Sequence, residues 1–113
     1  MSDAETCDLA SEVCEPCRGG VPPLTQEQWA PLLAELEGWE VVDGHHLRKS
    51  YEFSDFVGPL RLLNRVGELA EQCGHHPDLH LSWGRLTVEI WTHKVDGLTR
   101  SDFVLAAKCD ALG

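Results

Sequence analysis

Basic side chains are scarce in this chain: nine Lys and Arg stand against nineteen Asp and Glu, a formal net charge of −10. Affinity for phosphate backbones comes chiefly from clustered Lys and Arg, so direct nucleic-acid binding is excluded as the main work of the protein. Long apolar runs are missing as well. Nothing approaches the ~20 consecutive apolar residues that cross a bilayer, so no membrane helix is expected. The opening Met1-Ser2-Asp3-Ala4-Glu5 has neither the basic nor the apolar region of a secretory signal, and the expectation is a cytoplasmic protein. No internal repeat stands out beyond a duplicated strand-strand-helix order.

With 113 residues the chain is expected to form one folding unit. At that size a partner subunit often supplies further buried surface, so a homo-oligomer, dimer or tetramer, is expected. Five cysteines without an export signal read as thiols and not as a disulfide framework. Cys7, Cys14 and Cys17 lie together, the last two as Cys14-Glu15-Pro16-Cys17, which is followed by Arg18-Gly19-Gly20-Val21-Pro22-Pro23. A redox pair should open a helix after a strand, and this Gly-Pro run cannot. The competing reading is half of a zinc site, which lacks an obvious fourth ligand. Residues 1–24 are therefore expected to be a tail with incidental thiols, and residues 25–113 the folded domain.

Along the chain, hydrophobic periodicity switches between 3.6 and 2. Thr25 and Gln28 form a capping-box pattern before Trp29, Leu32, Leu33 and Leu36, predicting a first helix in which Pro31 makes the first turn irregular or the start late. Asp43-Gly44 supplies the positive φ angles of a tight turn between strands over Trp39–Val42 and His45–Phe53. His45 and His46, flanking that turn, are expected to be solvated. Ser54 is the expected cap of a second helix, whose buried stripe is Phe56, Leu60, Leu63, Val66, Gly67 and Ala70 and which Gly74 ends. Leu79, Leu81 and Trp83 alternate with polar residues, as do Leu86, Val88 and Ile90 after Gly84-Arg85, predicting a second hairpin with His93 ending its outgoing strand. Thr99 and Asp102 form another capping box ahead of a final helix. The predicted fold is α+β in two layers: a four-stranded antiparallel sheet with three helices on one face, in the order α-β-β-α-β-β-α.

Four of the six histidines fall between positions 75 and 93, and the run Cys73-Gly74-His75-His76-Pro77-Asp78-Leu79-His80 is their centre. Imidazole is the side chain whose charge changes near neutral pH, so the cluster points to proton transfer or metal ligation. A zinc pair from His76 and His80 requires both on one helix face, which Pro77 prevents. Proton transfer asks less: imidazoles around a bound molecule, with carboxylates to orient them. Glu71 lies one helical turn before His75, and Asp102 starts the helix after His93.

Glu71, three residues, His75-His76-Pro77, five residues, Trp83, nine residues, His93, eight residues, Asp102 resembles the signature of the pterin-4a-carbinolamine dehydratases. The similarity runs over about residues 24–112 and includes Gly38-Trp39, Asn64-Arg65-Val66 and Gly97-Leu98-Thr99. It implies dehydration of a 4a-hydroxytetrahydropterin to the quinonoid dihydropterin, within tetrahydropterin recycling, with the pterin as substrate and no cofactor or metal. His75, His76 and His93 are implied as acid, base and pterin-binding group, with the first two favoured for the proton transfers. Glu71 and Asp102 are implied as orienting groups and Trp83 as packing near the site. The same family includes dimerisation cofactors of a transcription factor, so a protein-binding coactivator is the alternative function. A zinc protein is the third.

Overall fold

The computed structural model describes residues 9–11 and 22–112. Its elements are α1 (Gln26–Ala34), β1 (Glu40–Val42), β2 (His46–Glu52), α2 (Val57–Cys73), β3 (Asp78–Ser82), β4 (Arg85–Ile90) and α3 (Arg100–Leu112). This is the predicted order. The four strands make one antiparallel sheet with spatial order β1-β2-β4-β3, so each hairpin pairs locally and the two hairpins join through β2 and β4.

Strand pleating explains where the core lies. The register pairs Leu47 with Ile90, Lys49 with Val88 and Tyr51 with Leu86, while Leu79 and Leu81 on β3 face Val88 and Leu86. These side chains share one sheet face, and α2 and α3 lie on it, with α1 against α3. Leu47, Val66, Leu86, Val88, Ile90, Phe103 and Leu105 are wholly buried there. The opposite face carries polar partners such as Ser50 and Thr87, whose hydroxyls lie 2.8 Å apart.

Local signals act mostly as expected. Asp43 and Gly44 take φ of 55° and 64°, the left-handed residues expected of the turn, and the register, with Val42 opposite His46, leaves a three-residue loop that also takes in His45. The Thr25 N–H donates to Gln28 Oε1 at 2.8 Å, so α1 starts on schedule and Pro31 sits inside a continuous helix with its face toward solvent. The cap of α2 differs. Asp55, not Ser54, accepts from the Gly58 N–H at 2.9 Å, and Pro59 occupies the third helical position, where a missing donor costs no intrahelical bond.

The proposed tail includes Leu9–Ser11, a short 3-10 turn packed on α3, where Leu9 is 3% exposed and belongs to the main core cluster. Lys108 Nζ donates to the Ala10 carbonyl at 2.9 Å. Cys7, Cys14 and Cys17 lie outside the described residues. A polar group interrupts the core near the C-terminal end of α3: Asp110 accepts from Tyr51 at 2.6 Å, Lys49 at 2.8 Å and Trp39 Nε1 at 3.0 Å. Lys49, the polar exception on the buried face of β2, is thereby paired. Burial first, then the hydrogen bond to Asp110, pushes the Tyr51 hydroxyl above its ordinary titration range.

Candidate active site

The C-terminal end of α2 sets the first part of the site. Gly74 adopts φ of 67° as the left-handed cap, and the His75 N–H donates back to the Ala70 carbonyl at 3.2 Å, closing the helix in a Schellman arrangement. Glu71 remains on the last turn, while His75 and His76 leave it just before Pro77 starts the approach to β3.

The second part comes from the segment between β4 and α3. Thr92 and Gly97 form an isolated bridge, with Thr92 N to Gly97 O at 2.8 Å, and this pinches off a small loop in which His93–Val95 make a 3-10 turn. His93 is therefore a turn residue and not the end of a strand. The strand stops at Ile90 because the bridge draws the chain away from β2.

Asp102 joins the two parts. It is fully buried, on the first turn of α3, where the exposed N–H groups favour a carboxylate. Its Oδ2 accepts from the Thr99 N–H and the Thr92 hydroxyl, both at 2.8 Å, and its Oδ1 lies 2.5 Å from His75 Nε2. A carboxylate holding three donors is an acceptor throughout, so Nε2 of His75 carries the proton. The neutral ring then has its lone pair at Nδ1. Among the described residues Nδ1 has no hydrogen-bond partner. His76 repeats the arrangement in the open: its Nε2 lies 2.6 Å from Glu71 Oε2, both side chains well exposed.

His75, His76 and His93 line one cavity of about 210 Å³, together with Gly74, Trp91, Thr92 and Lys94. Pockets for drug-sized ligands run to ~300–1,000 Å³, so this space suits a small molecule. The structure thus brings together five of the six residues singled out from sequence. Trp83 is the exception. It is 71% exposed in the β3–β4 turn, beside Gly84 with φ of 76°, at the end of β3 away from Asp78 and the histidine run. The apolar alternation that placed it inward stops with the strand at Ser82, and a turn residue follows no pleat.

Sequence reasoning missed Thr92, Thr99 and Trp91 as site residues. The Thr99–Asp102 capping box was a usable signal for Thr99. Thr92 and Trp91 carried none, because only the bridge to Gly97 aims them. His45 and His46 are also not solvated: both are half-buried against Trp91. His80 pairs with Glu89 at 3.1 Å on the open sheet face and does not line the cavity. Among the described residues no three His, Cys, Asp or Glu side chains form a metal-holding group.

Comparison with known proteins places this geometry. The family model described as pterin 4 alpha carbinolamine dehydratase matches residues 22–112, and the chain belongs to that family. A protein of Rubrobacter xylanophilus named as a pterin-4-alpha-carbinolamine dehydratase is 56% identical over 105 residues, covering 93% of this chain and 98% of that protein. One of the same name from Rickettsia bellii is 55% identical over 108 residues, covering 95% and 96%. The crystal structure of a transcriptional coactivator/pterin dehydratase from Brucella melitensis superposes with a TM-score of 0.75 at 31% identity, over 80% of this chain and 97% of that one.

Proposed function

We propose that this chain dehydrates a 4a-hydroxytetrahydropterin to the quinonoid dihydropterin by histidine acid–base catalysis, in recycling a tetrahydropterin in the cytoplasm. The observation that carries the reading is the convergence of three imidazoles on one cavity, two of them each backed by a carboxylate. The reaction breaks the bond from carbon 4a to oxygen. An acid gives the leaving hydroxide a proton, so that water departs, and a base takes the proton from the ring nitrogen that becomes doubly bonded. The lone pair of that nitrogen assists departure, so positioned acid–base groups worth ~100- to 10,000-fold are sufficient.

Each side chain has a part. Asp102 fixes the His75 tautomer with its basic Nδ1 available, and buried in place it stabilises the imidazolium formed when that ring takes a proton. His76, exposed and paired with Glu71, can exchange protons with water between turnovers. His93, on the loop between β4 and α3, holds the substrate or shares the acid role. Replacing His75 or His76 with Ala should cut dehydration of freshly generated carbinolamine at least about tenfold with the fold retained. Wild-type turnover in both variants would refute the proposal.

A protein-binding coactivator is a second reading, favoured by the double description of the Brucella melitensis protein. It predicts that histidine variants inactive in dehydration keep a protein partner in a pull-down, and loss of that partner would count against it. We also infer a homo-oligomer. Its support is the sheet face that no described helix covers and the exposed Phe53, Phe56, Val57 and Trp83, and a monomeric mass in light scattering would exclude it.

A further inference from the structure

The β1–β2 turn belongs to none of the parts assigned above, yet both its histidines reach the cavity wall. Trp91, which lines the cavity, touches three imidazoles: His93 at 4.6 Å between ring centroids, His45 at 5.3 Å and His46 at 5.8 Å. His45 and His46 meet edge to face, with their Nδ1 atoms 3.1 Å apart. His45 Nε2 lies 2.8 Å from Asp96 Oδ1. His45 donates from Nε2 to Asp96, which leaves Nδ1 of a neutral His45 ring to accept from the Nδ1–H of His46.

Asp96 matters because of where it sits. With φ of 52° it ends the 3-10 turn that presents His93 and Lys94 to the cavity. The turn between β1 and β2 therefore holds the His93 loop twice, through the His45–Asp96 bond and through the Trp91 ring. Without those contacts a tryptophan just past a strand end has several rotamers open to it, and a wall with several rotamers cannot hold a flat ligand in one pose.

We propose that His45 and His46 are positioning residues for Trp91 and His93, and that the β1–β2 turn fixes the wall against which a flat ring binds. This rests on the reading that the ring is a pterin. The test compares the double variant His45→Ala/His46→Ala with the conservative pair His45→Gln/His46→Phe, which keeps a donor toward Asp96 and a ring against Trp91.

Two readouts are taken from each. The first is the imidazole NMR spectrum of His93, identified by its loss in His93→Gln; the ring current of Trp91 displaces these signals in the wild type. The double alanine variant should move them toward those of an imidazole with no neighbouring ring, and the conservative pair should restore them. The second is steady-state dehydration of 4a-hydroxytetrahydropterin. KM should rise about five- to tenfold in the alanine variant, the size expected for one or two aromatic contacts, with kcat changed about twofold or less.

An unmoved His93 spectrum overturns the proposal, and so does a moved spectrum with unmoved KM. A moved spectrum in a protein whose wild type does not dehydrate the carbinolamine upholds the positioning role and removes the pterin reading instead. Should the double variant fail to fold, Asp96→Gly keeps the left-handed backbone, removes the acceptor and decides on the same spectrum.

Discussion

Replacing Asp102 separates what this carboxylate does for the fold from what it does for the chemistry. In Asp102→Ala the Thr92 hydroxyl can turn to Thr99 Oγ1, 2.9 Å away, but the His75 Nε2–H and the Thr99 N–H lose their acceptor in a buried place. Each unsatisfied buried donor costs ~1–3 kcal/mol, so the loss is about 2–6 kcal/mol, a large part of the ~5–15 kcal/mol that holds a domain of this size. The melting temperature should fall by at least about 8 °C.

Asp102→Asn behaves differently. Its oxygen must stay where Thr92 and Thr99 both donate, which turns the amide NH₂ toward His75 Nε2. Two donors cannot share a bond, so His75 must move its proton to Nδ1. The base disappears from the cavity at a stability cost of about 1–2 kcal/mol, the difference between a charged and a neutral acceptor. Thermal unfolding by circular dichroism, nitrogen NMR of the His75 tautomer and turnover are measured together. The expected result is a folded protein, an inverted tautomer and kcat down about 100-fold or more. An inverted tautomer with kcat within about threefold of wild type would refute the assignment of His75 as a proton-transfer group.

Tyr51 is the only tyrosine, so its ionisation can be followed alone. Its folded pKa is raised, so its contribution is fully present below the unfolded value of about 10, and above that stability falls by about 1.4 kcal/mol per pH unit. Tyrosinate absorbance should appear only together with loss of helical circular dichroism; its appearance in the folded protein near pH 10 contradicts the buried network. Leu9→Ala should destabilise by about 2–5 kcal/mol in denaturant titration, as for any core leucine, and an unchanged midpoint would mean that Leu9–Ser11 does not dock on α3. Glu71→Ala removes an exposed hydrogen-bonded pair, so stability should change by less than about 1 kcal/mol while turnover falls severalfold; unaltered turnover would remove Glu71 from the orienting groups.

Much of the fold was legible because local rules and tertiary packing agree over most of the chain. Asp43-Gly44, Gly74 and the Thr25–Gln28 cap stand where turn and cap chemistry puts them, and Leu86, Val88 and Ile90 face the way alternation says. The failures have separate physical causes. His45 and His46 obey the exposure rule for turn flanks until β4, paired with β2 far along the chain, brings Trp91 beside them. Leu9 lies in a stretch whose Gly, Pro and Cys content reads as a tail, and it is buried through its packing on α3. Trp83 follows an apolar alternation one residue beyond the strand that justifies it. Within the site, the His75–Asp102 pair was readable as an acid beside an imidazole, whereas the Thr92 hydroxyl needed a bridge that no short pattern encodes.

The join between β2 and β4 has a consequence for the way the molecule assembles. Leu47 meets Ile90 and Glu52 meets Arg85, so the middle of the sheet cannot zip from a turn and must wait for two distant stretches of chain to find each other. Topologies of this kind fold in roughly milliseconds or slower, behind helical bundles of equal size. The loop bearing His93 is anchored only after that encounter. On dilution from denaturant, helical signal should recover first, and the ability to turn over carbinolamine should return at the slower rate of the central strand pairing.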